Sequence, residues 1–165
     1  MSTTRVMTEA PPVPDHMVRS LVESTREVFE TMLFQVPVSH PPRPAVSREP
    51  RADVVATIHL TGPCRAVIGL YCSEPVAKSM AGSMLGLEAT EIGDEFPDAL
   101  GELANMIGGS FRNRMAEGGG TWAISVPTVN IGSGIITHYP TDVGRVICPF
   151  DSKGGEMLLE LVLRR

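Results

Sequence analysis

Apolar positions along this chain follow two periods, and the changes between them mark its elements. From Asp15 to about Phe34 the apolar residues Met17, Val18, Leu21, Val22, Val28, Phe29, Met32 and Leu33 keep helical spacing. Arg19, Glu23, Arg26, Glu27 and Glu30 form the wet side, and Asp15 is placed to cap the start. Residues 54–72 switch to period two. Val54, Ala56, Ile58 and Leu60 alternate with Val55, Thr57 and His59. After Gly62-Pro63, Ala66, Ile68, Leu70 and Cys72 alternate back, which predicts a hairpin. Ser73 then caps a short helix, Glu74 to Leu85, with Val76, Met80 and Leu85 inward and Gly86 as its stop. A longer helix follows over Asp94 to Met115, with Asp94 as its cap and Pro97 tolerated in the first turn. Gly118-Gly119-Gly120 ends it. The last third predicts a strand over Thr121–Val126 with Trp122, Ile124 and Val126 on one side, an interruption at Pro127, and a strand over Val129–His138 with a bulge or kink at Gly132-Ser133-Gly134. Val143–Phe150 and Glu156–Leu163 make a closing hairpin, with Met157, Leu159, Leu161 and Leu163 on its buried face.

The connections are too short for parallel crossovers. The expected fold is therefore α+β: an antiparallel sheet of about six strands packed with two long helices and one short one. Residues 1–14, with Pro11, Pro12 and Pro14, read as a flexible tail, and 15–165 as one domain. Prolines 37, 41, 42, 44 and 50 make 36–50 an extended surface connection. A weak rhythm, long helix then hairpin, occurs in each half.

The long helix carries an unusual polar face. Phe96, Leu100, Leu103, Ile107 and Phe111 share its apolar stripe, while Asp98, Glu102 and Asn105 lie opposite at i, i+4 and i+7. Asparagine is a poor interior helix residue because its amide competes for backbone hydrogen bonds. Gly108 and Gly109 follow, each costing roughly 1 kcal/mol against alanine in a helix interior. Close approach of another molecule to this face would account for both oddities. The bland alternative is a solvated helix face.

Composition and charge narrow the classes. The net charge of −5 gives no basic surface for general nucleic-acid binding. No apolar run approaches the roughly 20 residues of a membrane span, and residues 1–15 lack an apolar core, so no secretory signal is expected. The environment expected is the cytoplasm. Cys64, Cys72 and Cys148, without CxxC spacing, read as small core or strand residues. His16, His40, His59 and His138 are scattered, with no nucleophile at a motif spacing and no clustered metal ligands. The three consecutive glycines follow a helix and precede a strand, which is the wrong context for a phosphate loop.

Asp98-x3-Glu102-x2-Asn105, followed by Pro127 after a Gly-rich turn and a strand, resembles the motif of the CheC/CheX/FliY phosphatase family. The wording ELANMIGGSF…ISVPTVNIG is most similar to the CheX-like branch. The interval from Asn105 to Pro127 is one residue shorter than the family pattern, a difference that Gly118–Gly120 can absorb. Asparagine occurs only at 105, 113 and 130, so a single copy of the motif is present, as in CheX-like members. The resemblance implies a CheX-like α/β sandwich, a homodimer joined through sheet edges, and hydrolysis of the aspartyl phosphate on a phosphorylated CheY-like response regulator. It implies Glu102 as the anchor to a receiver lysine and Asn105 as the group that orients the attacking water. Asp98 would lie at the contact rim, and Gly108 and Gly109 would let receiver loops come close. Pro127 would fix the strand that supports the site. No cofactor of the protein's own is implied, because Mg2+ comes with the receiver. Two rivals stay open: a non-catalytic module binding a receiver or a flagellar component on the same fold, and a small-molecule enzyme such as a hot-dog thioesterase. An exposed helix face favours a macromolecular substrate, and a closed pocket a small one.

Overall fold

The computed structural model describes residues 10–46 and 48–164. Three α-helices pack on one face of a curled antiparallel sheet. The helices are α1 (Asp15–Val28, continued by a π-turn over Phe29–Leu33), α2 (Glu74–Leu85) and α3 (Phe96–Glu117). The strands are β1 (Val38–Ser39), β2 (Arg43–Pro44), β3 (Arg51–Thr61), β4 (Arg65–Cys72), β5 (Ala123–Ile124), β6 (Thr128–Ile136), β7 (Gly144–Ser152) and β8 (Gly155–Arg164). Their spatial order is β1-β7-β8-β4-β3-β5, with β2 also on β7 and β6 also on β3. Exchanging β1/β2 with β5/β6, β3 with β7 and β4 with β8 leaves that order unchanged. The rhythm in the sequence is thus a two-fold relation in topology, with α1 and α3 as counterparts.

The two hairpins form where alternation predicts them. Val54, Ala56, Ile58 and Leu60 on β3 and Met157, Leu159, Leu161 and Leu163 on β8 are all at most 1% exposed. They face Leu21 and Phe29 of α1 and Leu103, Ile107 and Phe111 of α3 in one core. Fully burying a side chain of this size contributes roughly 1.5–3 kcal/mol. The bulge at Gly132–Gly134 is present: β6 slips register between Ala52 and Val54 of β3.

Several local expectations need correction. Asp15 is inside the first turn of α1, not its cap. Pro14 is the cap, and its carbonyl accepts from Met17 and Val18 at 3.0 and 3.2 Å. Glu95, not Asp94, is the cap of α3. Leu85, at the last position of α2, is 51% exposed rather than core-facing. Of the expected strand 121–126 only Ala123–Ile124 forms β5, with the Ser125 amide still donating to the His59 carbonyl at 2.9 Å, and Val126, just before Pro127, is 84% exposed. His138 lies beyond the end of β6. The proline-rich connection is not a plain surface link: its strands β1 and β2 extend the sheet along β7. Residues 1–9 of the expected tail, and Ser47, lie outside the described residues. Val13, placed in the tail by its sequence, is buried in the core.

Among the described residues, the outer face of the sheet holds one buried ion pair. Glu160 is 0% exposed, and Arg145 donates to it from Nε at 3.0 Å and from a terminal nitrogen at 2.6 Å. The same guanidinium donates to the Glu49 carbonyl and lies over the Tyr139 ring. The Tyr71 hydroxyl is 3.2 Å from Glu160 Oε1 and 3.1 Å from Thr137. Burial pushes the Glu160 carboxyl above its ordinary value of 4.5, against the opposing pull of Arg145. A carboxyl raised on folding binds its proton more tightly in the folded state, so its contribution is fully present below pH 4.5 and is lost as pH rises. Arg145→Met should accordingly cost about 3–5 kcal/mol at neutral pH in urea unfolding. That deficit should shrink in acid, where Glu160 needs no counter-charge. A deficit that does not change between neutral and acid pH would contradict this account of the pair.

Candidate functional site

The polar row of α3 is held outward by what packs on its other sides. Leu103, Ile107 and Phe111 are 0% exposed against the sheet. Toward α1, Arg114 donates to Glu23 at 2.9 Å and to Glu27 at 2.8 Å, and Ser110 donates to Glu27 at 3.0 Å. The Arg114 guanidinium, and then the Ser110 hydroxyl, hold the Glu27 carboxyl below its ordinary range. Both glutamates are exposed and Arg114 is half-buried, so the contacts add only modest stability. They do fix the rotation of α3 against α1.

Toward the sheet edge two glycines let α3 come close. A Cβ on Gly101 would lie 3.2 Å from Val129 and 3.7 Å from Pro127. A Cβ on Gly108 would lie 2.9 Å from Ile124 and 3.0 Å from Ile58, tighter than real contacts. Gly108 therefore faces the sheet, a correction to its expected place on the partner face. Gly109 does lie on the outward face, and a Cβ there would meet nothing within 4 Å.

Asp98, Glu102 and Asn105 are all exposed. Among the described residues none of the three makes a hydrogen bond or ion pair. They border an open groove of about 530 Å³ whose helix wall is Pro97, Asp98, Gly101, Glu102 and Asn105. Its opposite wall is Val126, Pro127 and Val129. Asp98, Glu102, Asn105 and Pro127, far apart in sequence, are thus brought together. Gly101, Val126 and Val129 were missed. The signal for them was available in part, since Gly101 falls on the side of α3 that turns toward the sheet edge.

Chemically, the site offers carboxylates and a carboxamide with free donors and acceptors. Asparagine can both donate to and accept from one water, and a carboxylate can receive an ammonium. Among the described residues no group of three or more His, Cys, Asp or Glu could hold a metal ion. A larger cavity, about 650 Å³, lies away from α3 between segments 10–13, 44–46 and 137–146. His138 lines it, and among the described residues its lining includes no carboxylate or thiol. Cys72 and Cys148 are buried, and burial pushes both thiols up to about 12, which makes them poor nucleophiles.

Residues 54–151, well over half of the chain and including α3 and both groove walls, match the family described as chemotaxis phosphatase CheX. The chain belongs to the CheX family. Among solved structures it is similar to the chemotaxis protein CheX from Desulfovibrio desulfuricans, with 28% identity, TM-score 0.81, and coverage of 90% of this chain and 99% of that one. It is similar to a CheC-like superfamily protein from Shewanella sp. PV-4, at 23% identity and TM-score 0.83, covering 93% and 100%. A chain of the CheX–CheY–BeF3–Mg2+ complex from Borrelia burgdorferi matches at 17% identity and TM-score 0.70, covering 90% and 98%. At these last two identities the likeness is one of fold. No curated protein matches the sequence. The α+β architecture expected from the hydrophobic pattern is the CheX-like one.

The two adjacent glycines should respond oppositely in urea unfolding. Gly109→Ala should stabilise by about 0.5–1 kcal/mol, because alanine restricts the unfolded chain and fits open space. Gly108→Leu should destabilise by about 1–3 kcal/mol through overpacking. Equal effects at the two positions would contradict the placement of α3.

Proposed function

We propose that the protein hydrolyses the aspartyl phosphate of a phosphorylated CheY-like response regulator, using the exposed face of α3. The observation that carries this reading is the pair Glu102 and Asn105, exposed side by side on an open helix groove, with no partner of their own among the described residues. Polar groups held without internal partners on a rigid helix are free to engage a second molecule. An open face of this kind suits a macromolecular substrate, whereas a small-molecule hydrolase would enclose its ligand. Membership of a family described as chemotaxis phosphatases supports the reaction class. The Borrelia burgdorferi complex of the same fold, which contains CheY, supports the partner class.

In this mechanism the receiver supplies the acyl phosphate, a lysine and Mg2+. Glu102 pairs with the lysine and anchors the complex. The Asn105 carboxamide holds a water in line with phosphorus, and Asp98 lies at the rim. Gly109 leaves room for the receiver's backbone. Water attacks phosphorus, the receiver's aspartate leaves, and phosphate is released. No strong base is needed, because catalysis by orientation lowers the barrier through positioning alone. Homodimerisation through sheet edges, with action in the cytoplasm, belongs to the same reading. The exposed edge strand β6, with Ile131 51% exposed, supports it, and sedimentation can test it.

The decisive assay follows loss of phosphate from CheY-like receivers charged with acetyl phosphate. Asn105→Ala should lower kcat by at least about 100-fold while receiver binding persists, as expected for a group acting mainly in the transition state. Glu102→Ala should mainly weaken the complex. Binding of phosphorylated receiver without any acceleration by the wild type would point instead to a non-catalytic receiver- or flagellar-component-binding module.

A further inference from the structure

The outward face of α3 does not stop at Asn105. Asp98, Glu102, Asn105, Gly109 and Arg112 follow one another at spacings of four, three, four and three residues. Such spacing averages close to a helical turn and keeps all five on one stripe. Arg112 stands to Asn105 as Asn105 stands to Asp98, two turns further on, about 10 Å along the axis. Gly109 between them offers nothing but bare helix.

Two arginines near the end of α3 differ sharply. Arg114 is neutralised by Glu23 and Glu27 of α1. Arg112, half-buried, makes no hydrogen bond or ion pair among the described residues. Helix-dipole stabilisation falls off within the last turn. That turn's basic residue is Arg114, so the dipole gives Arg112 little reason to be cationic. The stripe is therefore polarised, with two carboxylates at one end and an unpaired guanidinium at the other.

We propose that Arg112 is a specificity-determining positioning residue that receives a carboxylate from an acidic patch of the docked receiver. The inference rests on the receiver-phosphatase reading above. A partner must then present a cation opposite Glu102 and an anion opposite Arg112. A reversed docking would oppose like charges at both ends, so the stripe selects direction as well as partner. A guanidinium suits this task because its planar fork grips a carboxylate through two hydrogen bonds.

The test compares wild type, Arg112→Ala and Arg112→Glu on CheY-like receivers phosphorylated by acetyl phosphate with Mg2+. KM should rise severalfold for Arg112→Ala and about tenfold or more for Arg112→Glu, with the gap narrowing at high salt. The kcat should stay within about twofold, and thermal melting should shift only slightly, since among the described residues the side chain makes no hydrogen bond or ion pair within the fold. Reversing one acidic residue of the receiver to lysine should restore the KM of Arg112→Glu. An unaltered KM in Arg112→Glu, or a loss confined to kcat, would overturn the inference while leaving the phosphatase reading intact. Failure of the wild type to dephosphorylate any receiver would overturn both.

Discussion

The close approach of α3 to the sheet is the constraint on which the rest depends. Gly108 sits against Ile58 and Ile124 at separations that a side chain could occupy only if its neighbours shifted, and Gly101 lies close against Val129 and in contact with Pro127. A helix seated this deeply has only one direction in which to turn its remaining polar residues. The glycines weaken the helix as an isolated element, but in the fold they let its backbone lie directly on the β-branched residues of β3 and β5. Their cost is local, and the rigidity they allow is global.

That seating explains how a short polar row becomes a site. Arg114 locks α3 to α1 on one flank and Pro127 walls it on the other. Between them Asp98, Glu102 and Asn105 stand out with their hydrogen-bonding groups unspent among the described residues. The topological two-fold sharpens the contrast with α1. Both helices occupy equivalent places against the sheet, yet α1 contains no asparagine and spends two of its glutamates on Arg114. In the proposed mechanism one helix performs the chemistry and its counterpart holds it in place. The rest of the reacting centre would belong to the partner protein.

Much of this was legible in the sequence because the signals are local. Ser73 and Gly86 bound α2 as their chemistry predicts: Ser73 accepts from the Val76 amide, and Gly86 takes φ 70°. The alternation in β3, β4 and β8 survived folding because one face of each hairpin meets the helices. The polar face of α3 followed from helical spacing and the family resemblance. Illegible parts were those set by tertiary contact. Nothing local shows that β6 pairs with β3, and without that pairing Pro127 cannot be put beside Gly101. Asp15 and Asp94 looked like caps, but Pro14 and Glu95 occupy those positions. Gly108 and Gly109 were assigned one face although adjacent helical residues differ by about 100°. Geometry required one to face the sheet.

The most direct measurement is the single-turnover loss of phosphate from a saturating complex with phosphorylated receiver, comparing the wild type with Asn105→Ala. Saturation removes docking from the rate and leaves the chemical step. The account predicts that the wild type accelerates this step strongly and that Asn105→Ala, bound to the same receiver, falls to nearly the receiver's own rate. Equal rates for the two proteins at saturation would contradict the claim that the exposed face of α3 orients the attacking water.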